Sequence, residues 1–157
     1  MSGTLLSVRE VSKNFGDIEA LKSVTLDLKR GDVVGLVGGN GAGKTTLLRL
    51  LCGLYKASEG NVVFIGKGGE EHPIHQVRNN LGVVPESTGL YARLTAWENI
   101  RYHSRLNNIP DEQAWNRTIR LARSLEIEGE LQRPTRGFSR GMRQKTALIR
   151  ALAHDPE

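Results

Sequence analysis

Two different hydrophobic rhythms run along the chain. VTLDLK at 24–29 alternates apolar and polar, which predicts a strand with one buried and one wet face, suited to antiparallel pairing. Residues 30–32, RGD, read as a turn. VVGLV at 33–37 is continuously apolar and predicts a strand covered on both faces, as in a parallel sheet. A glycine-rich loop, 38–43, leads into KTTLLRLLCGL, which predicts a helix apolar nearly all round and therefore buried, with Gly53 as its stop. NVVFIG at 61–66 predicts a strand, 66–73 a loop, and LGVV at 81–84 a short strand closed by Pro85.

From about Thr95 the rhythm becomes helical. Thr95-Ala96-Trp97-Glu98 matches a capping box and opens a helix to about Leu106. Asp111 is expected to cap the next helix, whose Trp115, Ile119, Ala122 and Leu125 fall on one face. Ser139 is expected to cap a last helix running to about Ala153, after which Pro156 drives Asp155 out of the helical region. The expected class is α/β: antiparallel strands, a buried parallel-type strand, then helices. No repeat or low-complexity linker interrupts it.

Composition adds bounds. The 157 residues suffice for one ordinary domain with its own core. A single cysteine, Cys52, excludes an internal disulfide and suits a reducing compartment; its place among leucines reads as core. No apolar run reaches the roughly 20 residues that span a bilayer. MSGTLLSVRE lacks the basic and apolar regions of a signal peptide, so the expected location is cytoplasmic. A net charge of +5 leaves two readings open: a solvated basic surface, or a polyanionic partner such as nucleotide, nucleic acid or membrane. His72, His75, His103 and His154 lack metal-ligand spacing and read as surface residues, while Trp97 and Trp115 read as helix packing.

The chemistry lies in GGNGAGKTT, 38–46, where Gly38, Gly43, Lys44 and Thr45 satisfy G-x-x-x-x-G-K-[ST] between a predicted strand and a predicted helix. Glycines let successive N–H groups turn inward and let the backbone approach a phosphate closely. The helix that follows points its positive dipole end at the same anion. Gly38, Gly39, Asn40, Gly41, Ala42, Gly43, Lys44, Thr45 and Thr46 are therefore the candidate nucleotide-binding residues. Lys44 is expected at the β and γ phosphates and Thr45 at a bound Mg²⁺. The motif alone specifies a nucleoside triphosphate with Mg²⁺ and leaves kinase, GTPase and transport motor open.

Two stretches narrow that choice. TRGFSRGMRQKTALIRALAHDPE, with Ser139-Arg140-Gly141-Met142 at a predicted helix start, resembles the signature motif of ATP-binding-cassette ATPases. The opening, LLSVREVSKNFGDIEALKSVTLDLKRGDVVGLVGGNGAGKTTLLRLLCGLYKASEG, resembles the same family, and the likeness covers essentially the whole chain. SRGMRQ is similar to the form common in ATPase subunits of bacterial exporters. The resemblance implies a P-loop fold of the ABC type, with an antiparallel β subdomain and P-loop core over about 1–88 and a helical subdomain over about 89–153. It implies ATP and Mg²⁺ as ligands, Phe15 stacked on adenine where most members carry Tyr, and Glu86 at the position of the family's glutamine. That glutamine contacts Mg²⁺ and the attacking water; Glu86 keeps an oxygen ligand but adds negative charge beside phosphate.

Ser139, Arg140, Gly141 and Met142 stand where the family touches the γ-phosphate held by a second copy, which implies an ATP-dependent dimer. The resemblance also implies a transmembrane transporter subunit as partner and a position at the inner face of the membrane. Arg136, Arg140, Arg143 and Arg150 share a predicted face, either solvated or aimed at an anion; a nucleic-acid partner is not the expected one. Two rivals stay open: a non-transport ATPase of the same superfamily acting on nucleic acid or ribosomes, and a catalytically dead nucleotide-sensing module. In the family the carboxylate-bearing catalytic strand follows the DPE turn. The expectation is therefore an incomplete nucleotide-binding domain, marginally stable alone and with negligible turnover.

Overall fold

The computed structural model describes residues 3–157. They form two compact units, one extending to Arg78 and the other spanning Asn79–Glu157.

In the first unit, β1 (Thr4–Phe15) and β2 (Ile18–Lys29) form an antiparallel hairpin. β3 (Glu59–Ile65) pairs with the other edge of β1, and β4 (Glu71–Pro73) with β3, giving the order β2-β1-β3-β4. The alternation of VTLDLK holds: Val24, Leu26 and Leu28 are half-buried while Thr25, Asp27 and Lys29 are exposed. Part of the segment 66–73, expected as a loop, is β4, because the Glu70 carbonyl accepts the Gly66 N–H at 2.9 Å and closes a tight hairpin. β1 carries a bulge: Val8 faces Leu26 but Val11 faces Val24, with Glu10 at φ +50° between them. Gly60 answers it, since a Cβ there would lie 2.3 Å from the Arg9 carbonyl oxygen.

α1 (Lys44–Leu51) ends where expected, with Gly53 at φ +66° just beyond it. It is less buried than its sequence suggests. Only Leu47 and Leu50 are buried, whereas Leu48 is exposed.

The expected central strand at 33–37 is absent: these residues have no regular structure and Val33, Val34, Leu36 and Val37 are exposed. A continuous apolar run records which surroundings a strand would favour. A ladder also needs a neighbour, and none of the described strands pairs with this one. The same correction applies to 81–84, which forms no strand and leaves Val83 and Val84 exposed.

The second unit contains α2 (Ala96–Leu106), α3 (Asp111–Ser124) and α4 (Arg140–Leu152). Ala96, Ile100, Ala122, Ile127, Leu131, Phe138, Ile149 and Ala153 make its core, with Trp115, Ile119 and Leu125 packed against it. The rings of Trp97 and Trp115 meet edge-to-face at 4.8 Å. The capping box of α2 forms in full: the Glu98 N–H donates to Thr95 Oγ1 at 3.1 Å and the Thr95 N–H to Glu98 Oε2 at 2.8 Å. Asp111 does not cap α3. Pro110 is the cap residue, and Asp111 begins the helix with its carboxylate bound by Arg105 at 2.8 and 2.5 Å. Asp155 leaves the helix through φ +62° rather than an extended conformation.

Asn99 is the polar hub of this unit. Its Oδ1 accepts the Tyr91 N–H at 2.7 Å, and its Nδ2 donates to the carbonyls of Tyr91 and Thr95 at 3.1 and 2.9 Å. Thr135 Oγ1 donates to the same Tyr91 carbonyl at 3.0 Å. Two of the histidines expected on the surface are inside: His154 is buried and His103 half-buried, their rings 5.9 Å apart. His154 Nε2 meets the Leu81 carbonyl at 3.2 Å, and burial first, then Arg150 and His154, lower the basicity of His103.

Candidate functional site

The loop from Gly38 to Gly43 is built for close backbone approach. Gly41 and Gly43 adopt φ +82° and +78°, the left-handed region that favours glycine. At Gly43 there is also no room, since a Cβ would fall 2.6 Å from the Ala20 carbonyl oxygen and 2.7 Å from Leu21 Cδ2. The end of the loop is thereby seated on β2. The Leu47 N–H then closes onto the Gly43 carbonyl at 2.8 Å and α1 begins.

Two features give this turn its electrostatic character. No side chain caps α1, and its first turn contains no acidic residue, so its positive end is left to an anion from outside the loop. Lys44 Nζ donates to the carbonyl oxygens of Gly38 and Gly39 at 2.7 and 2.5 Å. The ammonium is thus held over the loop. Thr45, the next residue, is exposed, as are Gly39, Asn40, Gly41 and Ala42 along the turn. Cys52, at the far end of the helix, is half-buried, and burial pushes its thiol pKa up, as befits a packing residue.

Phe15 ends β1 with 44% of its surface exposed. Lys13 Nζ lies 5.1 Å from the centre of its ring, and Tyr55 meets the ring edge-on. Sequence reasoning passed over Tyr55, which has no motif around it.

The signature residues lie in the second unit. Ser139 caps α4, its Oγ accepting the Met142 N–H at 3.2 Å. Ser139, Arg140 and Gly141 are exposed, whereas Met142 leans on the helical core. Of the four arginines expected on one face, Arg143 donates to the Phe138 carbonyl, and Arg150 to those of Thr88 and Gly89 at 2.7 and 3.1 Å. Arg136 and Arg140 remain exposed. Glu86 is exposed in the irregular stretch after Pro85; it belongs to the second unit and Thr45 to the first. Among the described residues no cluster of three or more His, Cys, Asp or Glu is placed to hold a metal ion.

The profile of the ABC transporter family matches residues 21–157. The chain belongs to the ABC transporter family. Over 158 aligned residues it is 37% identical to the ABC transporter ATP-binding protein NatA of Bacillus subtilis, covering 98% of this chain and 64% of NatA. It is 34% identical to the sulfate/thiosulfate import ATP-binding protein CysA of Pseudomonas aeruginosa, covering 97% of this chain and 47% of CysA. The solved structure of an ATP-binding subunit of an ABC transporter superposes with a TM-score of 0.83 at 29% identity, covering 98% of this chain and 63% of that one. The chain therefore spans less than two thirds of the length of these relatives. Membership of this family implies ATP as the ligand class; the uncapped helix, the ammonium and the glycine seat have the chemistry to receive an anion. No described helix is long and apolar enough to cross a membrane.

Proposed function

We propose that the chain is the nucleotide-binding part of an ATP-driven transporter subunit of exporter type. The observation that carries this reading is the seat of Lys44: a cation held on two loop carbonyls at the open N-terminus of α1, with Thr45, the next residue, exposed. Mg·ATP would exchange those carbonyls for phosphate oxygens and add the helix dipole to the attraction. Gly38 to Thr46 cradle the phosphates and Phe15 offers its exposed ring to adenine. Thr45 supplies an oxygen ligand to Mg²⁺, the remainder coming from phosphate and water.

Ser139, Arg140, Gly141 and Met142 are proposed to meet the nucleotide of a second copy, the exposed α4 N-terminus contributing the hydroxyl, amide and guanidinium donors that a γ-phosphate requires. The whole protein would couple ATP hydrolysis to a transmembrane partner at the inner face of the membrane. The exporter direction rests on the SRGMRQ form of the signature. The internal use of Arg143 and Arg150 removes half of the basic face that a nucleic-acid reading needs.

The test is equilibrium titration with Mg·ATP, followed by sedimentation with and without nucleotide. Saturable Mg-dependent binding and ATP-driven self-association are expected. An ATP-indifferent monomer would overturn the reading.

A further inference from the structure

The ring of Phe15 is supported from outside its own strand. Its centre lies 5.5 Å from that of Tyr55 with the planes at 72°, an edge-to-face pair. Tyr55 is in turn fixed to α1 twice. Its hydroxyl accepts a hydrogen bond from an Arg49 guanidinium nitrogen at 2.8 Å, and its backbone N–H donates to the Arg49 carbonyl at 3.1 Å. Arg49 stands in the last turn of α1, where a cation complements the negative end of the helix dipole.

The segment after Tyr55 is stitched to β1. The Ser58 N–H donates to the Ser12 carbonyl at 2.9 Å, and Ser58 Oγ accepts the Asn14 N–H at 3.0 Å. A continuous set of contacts thus runs from the helix that Lys44 begins to the residue just before Phe15. A phenylalanine has no polar atom with which to fix its own ring angle. Tyr55 supplies that anchor through its hydroxyl, while the ring it holds stays exposed enough to receive a base.

We propose that Tyr55, locked by Arg49, is a positioning residue for base recognition: it sets the Phe15 ring where adenine stacks while the phosphates lie in the loop at 38–46. This inference rests on the ATP reading above. Its consequence is confined to the base, because the phosphate contacts come from other residues. Losing Tyr55 should weaken ATP and leave a base-free triphosphate unaffected.

The experiment is calorimetric titration of the chain and its Tyr55→Ala, Tyr55→Phe and Arg49→Met variants with Mg·ATP and with Mg·tripolyphosphate. The parent should bind ATP more tightly than tripolyphosphate. Tyr55→Ala should lose about 3- to 10-fold in ATP affinity, the range of an aromatic pair, with tripolyphosphate binding retained as proof of an intact fold. Tyr55→Phe and Arg49→Met, which keep the ring contact but break the lock, should each lose about 2-fold for ATP only, the low end of the same range. An unchanged ATP-to-tripolyphosphate ratio in Tyr55→Ala, whether neither affinity moves or both fall together, would overturn the inference and leave the ATP reading standing. A parent that binds neither ligand would overturn the ATP reading, and this inference with it.

Discussion

The ammonium of Lys44 donates to the carbonyl oxygen of Gly38 at 2.7 Å, so the loop's own backbone occupies the cation that a phosphate would otherwise attract. Binding is then an exchange of neutral acceptors for charged ones, which adds the attraction of an anionic acceptor to bonds whose donor is already ionised. Replacing Lys44 by Ala removes that gain. At roughly 1.5–3 kcal/mol for a charge-assisted hydrogen bond, ATP affinity should fall about tenfold or more. ADP, which lacks the γ-phosphate, should lose less. Parallel titrations with the two nucleotides check this, and equal losses for both would count against the assigned contact.

Gly43→Ala tests the seat of the loop. The substitution meets a left-handed backbone and a Cβ placed 2.6 Å from the Ala20 carbonyl oxygen. A cost of about 1–3 kcal/mol in unfolding free energy is expected, together with lost nucleotide binding. Gly39→Ala is the control, because a Cβ there meets nothing within 4 Å. It should change stability little. Chemical denaturation of both variants decides the matter.

The capping box makes a pH prediction. The Thr95 backbone N–H, then its hydroxyl, hold the Glu98 carboxyl below its ordinary value of 4.5. A carboxyl depressed in the folded state stabilises above its unfolded value, and the gain disappears as pH falls through the folded one. The melting difference between parent and Glu98→Gln should therefore be full at neutral pH and close on acidification. Thr95→Ala should cost about 1 kcal/mol at neutrality. A Glu98→Gln difference that persists unchanged into acid would refute the ionic part of the cap.

Asn99 should be the most sensitive polar position of the second unit. Its amide satisfies the Tyr91 N–H and two carbonyls from within a buried site. Asn99→Leu leaves the Tyr91 N–H without its acceptor, while the Tyr91 carbonyl keeps Thr135 Oγ1 and the Thr95 carbonyl keeps the backbone N–H of residue 99, so the cost is that of one unmade buried hydrogen bond, about 1–3 kcal/mol. Urea denaturation should show a lowered midpoint with an unchanged slope.

The parts of this molecule legible in its sequence are those decided locally. The capping box at Thr95, the Ser139 cap, the Gly53 stop and the alternation in β2 depend on neighbours a few residues away, and the structure contains them all. The left-handed glycines of the loop and the start of α1 at Lys44 are legible for the same reason. Misjudged positions depended on distant partners. Val33–Val37 and Leu81–Val84 have strand-like composition, but pairing requires a second segment. His154 looked polar and peripheral until the Leu81 carbonyl gave its ring a buried acceptor. Tyr55 matters through Arg49, six positions earlier, and through Phe15, far away on another element; no local pattern announces either contact.

The bare run from Val33 to Val37, with Val33 and Val37 almost wholly in solvent, sets a kinetic race. A segment of β-prone composition with exposed apolar side chains and no ladder partner among the described strands accepts the first compatible edge it meets. At low concentration that edge would have to come from the same polypeptide. At high concentration it would come from another copy, in a reaction whose rate rises with the square of concentration. Dilution during handling should thus decide whether the phosphate cradle, whose first residue follows Val37 directly, is presented on a monomer or lost in an aggregate.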